Sequence, residues 1–98
     1  MPYASITVAE RLDMTDYLAV DEQLGASRAE GLISEAAGHG ESGLQVITLW
    51  DSKAHHERFV ADRLVPAFQA LGIQPGPMTF TGVDVDALYL RTGETTSA

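Results

Sequence analysis

Leu44-Gln45-Val46-Ile47-Thr48-Leu49-Trp50, followed by Asp51-Ser52 and the run Lys53 to Phe59, decides how this chain folds. The first seven residues are rich in β-branched and aromatic types, which suit a pleated, half-buried surface. Asp51-Ser52 then breaks the pattern, and Ser52 is placed to cap a helix. Upstream, Leu32 to Ala37 reads as another strand. Between the two lies Gly38-His39-Gly40-Glu41-Ser42-Gly43, with three glycines in six residues. Such a cluster reads as a turn, and the short spacing makes the two strands a hairpin.

Working outward, Tyr3 to Ala9 alternates Tyr3, Ser5 and Thr7 with Ala4, Ile6 and Val8, a period-two strand. Asp13 or Thr15 can cap a first helix, with Asp16 adding favourable charge at its positive end. Tyr17, Val20 and Leu24 form its buried stripe, and Gly25 is a plausible stop. In the second helix Phe59, Val60, Leu64, Ala67, Phe68 and Leu71 recur at helical steps. Pro66 falls inside that pattern, where it removes an amide donor and kinks or restarts the helix. After Gly72 and the Gln74-Pro75-Gly76-Pro77 loop, Met78 to Val85 is a last strand. Ala87 to Leu90 either extends the sheet or reaches a partner.

Strand, helix, hairpin, helix, strand is the β-α-β-β-α-β order of a ferredoxin-like α+β domain with a four-stranded antiparallel sheet and both helices on one face. Residues 1–91 form this single domain, and 92–98 read as a polar C-terminal tail. Apolar side chains occupy both faces of the strands: Tyr3 against Ile6, Trp50 against Leu49, Phe80 against Val83. A far face of that kind exceeds what monomers expose. The expectation is a symmetric homodimer that buries it, giving a dimeric α+β barrel.

The chain has 98 residues, no cysteine and a formal net charge of −8. Disulfides, thiolate nucleophiles and thiolate-bound metals are excluded, which fits a cytoplasmic location. So acidic a surface repels a phosphate backbone, so no nucleic-acid partner is expected. No apolar run approaches the ~18–20 residues of a membrane span, and no signal peptide is visible at the N-terminus.

The stretch LQVITLWDSKAHHERF, residues 44–59, ends a strand in tryptophan, passes through a cap and reaches an aromatic one turn into the next helix. With Gly31-Leu32-Ile33 and Leu64-Val65-Pro66-Ala67-Phe68, it resembles small bacterial proteins of the dimeric α+β barrel superfamily similar to antibiotic biosynthesis monooxygenases. The likeness covers roughly residues 2 to 90. It implies a cavity between sheet and helices in each protomer, holding a hydrophobic aromatic or polyketide-like substrate. It also implies a tailoring reaction without a cofactor: oxidation by dioxygen, or a proton-transfer step such as isomerisation or cyclisation. Haem-degrading relatives place an axial histidine late in the second helix. Here that region reads Pro66-Ala67-Phe68-Gln69-Ala70, so haem is not expected. Similar proteins often carry a histidine in the second strand where Glu35 stands here.

The candidate acid–base groups are Glu35, His39 and His55. Glu35, if it faces the helices, is a partly buried carboxylate with a raised pKa, suited to proton transfer; if it faces a rim, it is solvated. His39 lies in the glycine-rich turn, as a solvated residue or a pocket-edge base. His55 lies in the first turn of the second helix, where the helix dipole disfavours protonation, as a neutral base or an inert surface group. His55 and His56 point about 100° apart on a helix, so no metal site is expected. Tyr3, Trp50, Thr48, Phe59 and Phe80 are the candidate substrate-lining residues; each also fits an ordinary core. The rival to an enzyme is a non-catalytic ligand-binding or dimerisation module.

Overall fold

The computed structural model describes residues 1–90; the proposed domain boundary at 91 and the tail at 92–98 lie outside the described residues. Strand β1 (Tyr3–Ala9) leads to helix α1 (Met14–Leu24), the hairpin β2 (Leu32–Gly40) and β3 (Gly43–Trp50), helices α2 (Lys53–Phe59) and α3 (Val65–Leu71), and strand β4 (Met78–Asp84). The four strands pair antiparallel in the order β2-β3-β1-β4. The ferredoxin-like arrangement expected from the sequence is therefore the one formed.

Helix α1 starts where a reciprocal cap satisfies two free amides. The Asp13 carboxylate accepts from Asp16 N–H, and the Asp16 carboxylate accepts from Asp13 N–H, each at 3.0 Å. Those bonds, with the neighbouring amides, hold the Asp13 carboxyl below the usual carboxylate range. Val20 is buried on the expected stripe, with Tyr17 and Leu24 half-buried beside it.

The turn cluster is shorter than the glycines suggest. Strand β2 runs through Gly38, His39 and Gly40, and only Glu41-Ser42 turn between the paired Gly40 and Gly43. Gly43 has φ 102°, and a Cβ there would lie 2.8 Å from the Ala9 and Glu10 carbonyl oxygens. Close approach to the end of β1 therefore requires glycine. At its other end β2 carries a bulge: Leu32 pairs with Trp50 and Ser34 with Leu49, leaving Ile33 as the extra residue. Leu32 and Glu35, three apart in sequence, consequently share the helix-facing side.

The kink expected at Pro66 is a wide turn. Val60–Leu64 form a π-helical turn between α2 and α3, closed by Val65 N–H on the Val60 carbonyl. Pro66 then sits in the first turn of α3, where its missing N–H costs nothing. Gly72 ends α3 in the left-handed conformation.

The core lies between one sheet face and the helices, around Ala9, Leu12, Val20, Leu44, Ala67 and Phe68. On the opposite face Ile6, Ile47 and Val83 stay 42%, 52% and 60% exposed. Register places Ile6 beside Ile47, and Val83 beside Ala4, which pairs with Leu49. The far face thus carries exposed apolar side chains in the single chain, with Gln45, Thr79 and Thr81 interspersed among them. Residues Ala87 to Leu90 take no strand, and Leu88, Tyr89 and Leu90 are exposed.

Candidate active site between the sheet and the helices

A cavity of about 110 Å³ opens between the sheet and the helices. One water needs only ~10–15 Å³, so there is room for an organic group. Its walls are mostly apolar: Leu12, Val20, Leu24, Leu44, Val46 and Phe68 among them. Small side chains on β1, Thr7 and Ala9, leave the space that larger residues would fill. Leu32 enters from the bulged strand, and the π-turn brings both Arg63 and Leu64 to the wall.

At the wall, where Asp16, Asp21, Arg28 and Arg63 also stand, the Tyr17 hydroxyl donates to Glu35 Oε2. Both residues border the cavity, one from α1 and one from β2. Burial, then the hydrogen bond to Glu35 and its negative charge, push the Tyr17 phenol well above its ordinary pKa of 10.0. Tyr17 therefore stays protonated and acts as a donor across the working pH range. Glu35 keeps Oε1 without a protein donor among the described residues. Its position, on the edge strand β2, leaves the residue exposed rather than partly buried as expected for a helix-facing carboxylate.

The other sequence candidates lie elsewhere. His39 is on β2, not in a turn, and its Nε2 accepts from Met14 N–H at 3.3 Å, at the start of α1. His55 Nδ1 lies 2.7 Å from Ser52 Oγ, which also accepts the His55 amide as the α2 cap. Of the five candidate lining residues only Phe59 borders the cavity. Trp50 is 1% exposed, and its Nε1 donates to Thr48 Oγ1 at 2.8 Å. Its ring packs on His56 and Phe59, at centroid distances of 5.5 and 5.3 Å. Tyr3 and Phe80 close the other sides of His56, each at 5.7 Å. These residues form a packed aromatic cluster beside the cavity. Burial holds the His56 imidazole below its usual pKa, so it sits there neutral. Tyr17 and Arg63 also border the cavity. By sequence the Tyr17 hydroxyl fitted a cavity or the core stripe equally well; Arg63 gave no signal.

Solved structures with the same fold share little sequence with this chain. A monooxygenase from the gene ActVA-Orf6 of Streptomyces coelicolor, in complex with nanaomycin D, superposes with a TM-score of 0.57 at 18% identity, covering 93% of this chain and 92% of its own. The mutant SnoaB structure, a cofactor-independent oxygenase from Streptomyces nogalater, gives 0.58 at 12% identity, over 89% and 94%. A protein of unknown function from Nitrosomonas europaea gives 0.60 at 18%, over 94% and 95%. No family model and no curated protein sequence matches the chain. The chain thus has the fold of the antibiotic biosynthesis monooxygenase-like proteins. At these identities the likeness establishes architecture, and any activity must be argued from the site.

Proposed function

We propose that this protein is a cofactor-independent tailoring enzyme acting on a hydrophobic, aromatic or polyketide-like substrate, with Glu35 as general base and Tyr17 as its positioning donor. The observation that carries the reading is the Tyr17–Glu35 pair at the wall of a mostly apolar cavity. The fold supports it, because a cofactor-independent oxygenase and a nanaomycin-bound monooxygenase are among the structures that superpose.

The chemistry asks little of the protein. A ring CH₂ made acidic by conjugation gives its proton to the Glu35 carboxylate. The delocalised carbanion reduces dioxygen and forms a C–O bond, giving a hydroperoxide once protonated. Loss of the second proton from that carbon breaks the O–O bond, leaving a carbonyl and water. Four electrons pass from carbon to dioxygen, so no other reductant is needed. The protein abstracts the proton, orients the ring and keeps water out. An isomerisation would use the first step alone.

The test is turnover of anthrone-type ketones and polycyclic phenols under air, followed by oxygen uptake with an anaerobic control. Glu35→Gln should lower kcat by about 10²–10⁴, and Tyr17→Phe by less. His39→Ala should stay within about twofold, since His39 does not border the cavity. An unchanged rate in Glu35→Gln removes the role given to that residue; tight binding with no turnover of any substrate favours the ligand-binding module.

We also propose that a second copy covers the far sheet face, where Ile6, Ile47 and Val83 are exposed. Ile47→Glu should convert a dimer to a monomer in sedimentation. A wild-type chain that is already monomeric at micromolar concentration defeats this part.

A further inference from the structure

Beside the cavity lies a second hollow of about 260 Å³, lined by Ala29, Glu30, His55, Arg58, Phe59, Asp62 and Arg63. Ala29, Phe59 and Arg63 line both spaces, so the two are adjacent and Arg63 stands where they meet. The chain has only six basic residues against fourteen acidic ones, yet Arg28, Arg58 and Arg63 all border one space or the other.

Arg63 is held in place from one side. Its Nη2 donates to the Leu24 carbonyl at 3.0 Å and to the Ser27 carbonyl at 3.5 Å. Those neutral partners orient the guanidinium without cancelling its charge. Its Nε and Nη1 groups make no hydrogen bond among the described residues. Among the same residues neither Arg63 nor Arg58 forms an ion pair, whereas Arg28 is already bound to Asp21 at 3.4 Å. Glu30 and Asp62 also face the hollow, but both are exposed, as is Arg58, whereas Arg63 is half-buried. Solvent screens the carboxylates at the rim more than the cation at the junction. With Nη2 held by the two carbonyls, Nε and Nη1 each offer a single charge-assisted N–H to an anionic oxygen such as a carboxylate's.

We infer that the substrate is an amphipathic acid: its ring system occupies the cavity, and an anionic arm, a carboxylate, reaches past Phe59 to Arg63 and Arg58. This rests on the reading of the cavity as a substrate site, and names the substrate class for it.

The test compares aromatic carboxylates with their methyl esters, using 2-naphthoate and anthracene-2-carboxylate as probes in calorimetric titrations of the full chain. Wild type should bind each acid about tenfold more tightly than its ester. Raising NaCl from about 50 to about 500 mM should shrink that preference. Arg63→Gln should bring the ratio near one, Arg63→Lys should retain part of it, and Arg58→Gln should reduce it about threefold. Should Arg63→Gln fail to fold by circular dichroism, Arg58→Gln and the salt series decide. Equal binding of acid and ester by wild type, or a preference that ignores both arginine changes and salt, overturns the inference. Esters that bind while acids gain nothing leave the cavity reading intact. If neither acids nor esters bind, both readings fail together.

Discussion

The same sheet face meets the helices in two ways, and the contrast between them explains why a cavity exists at all. At one end Trp50, His56, Tyr3 and Phe80 interlock, and Tyr3 lies so close over Gly82 that any Cβ there would collide with its hydroxyl. At the other end Ala9 and Leu44 join the core with Val20 and Phe68, yet Thr7, Ala9 and Val46 are small enough to leave a hollow beside it. Large side chains fill the first region and small ones leave the second hollow. Both regions hold polar groups. In the packed end they are internal: Trp50 satisfies Thr48, and Ser5 Oγ is buried with no partner among the described residues. In the hollow end Glu35 and Tyr17 stand at the wall, with Oε1 free to meet a ligand. One end is filled by aromatic side chains; the other carries the aliphatic core with a cavity beside it.

The contrast breaks most visibly at Trp50. Trp50→Ala should cost about 3–5 kcal/mol of stability, read from urea midpoints. A loss under ~1 kcal/mol would mean that the aromatic end is not the better-packed one. A subtler test uses pH. Burial lowers the His56 pKa in the folded state, so the unfolded chain binds the proton more readily. The stability from keeping His56 neutral is present in full above the unfolded value of 6.5 and is lost as pH falls from there through the folded value. Urea midpoints should therefore drop below that pH, and His56→Phe should flatten the drop. An identical slope in the variant would place the titration elsewhere. The smallest effect is expected at the hollow end. Val46→Leu adds one methylene facing space, so stability should change by less than about 1 kcal/mol, while ring ligands bind more weakly. A larger stability loss would show the cavity to be tighter than its walls suggest.

The packed end and the cavity draw on different residues, and the sequence separates them only in part. The strand Leu44 to Trp50, the Ser52 cap, the Tyr17-Val20-Leu24 stripe and the two-sided sheet were all legible, because each is a local pattern with a period of two or 3.6. Of the candidates read from the sequence, Glu35 and Phe59 border the cavity. Tyr17 could not be decided there, because a tyrosine on a buried stripe looks the same whether its hydroxyl meets water or a carboxylate. Nor could alternation alone place Glu35 on the side of Leu32: the bulge at Ile33, set by pairing with β3, decides that. His39 was misplaced because glycine marks both turns and flat strand ends; the hairpin tightened to Glu41-Ser42. The helix break was visible at Pro66, but its form as a π-turn, which swings Arg63 to the junction of two hollows, was not.

By itself, then, the sequence determined the order of elements, their caps and which strands are apolar on both sides, since those depend on near neighbours in the chain. Tertiary structure alone decided which small residues of β1 and β3 face the helices together, and so where space remains. Cavities arise from side chains distant in sequence failing to meet, and no local pattern records that.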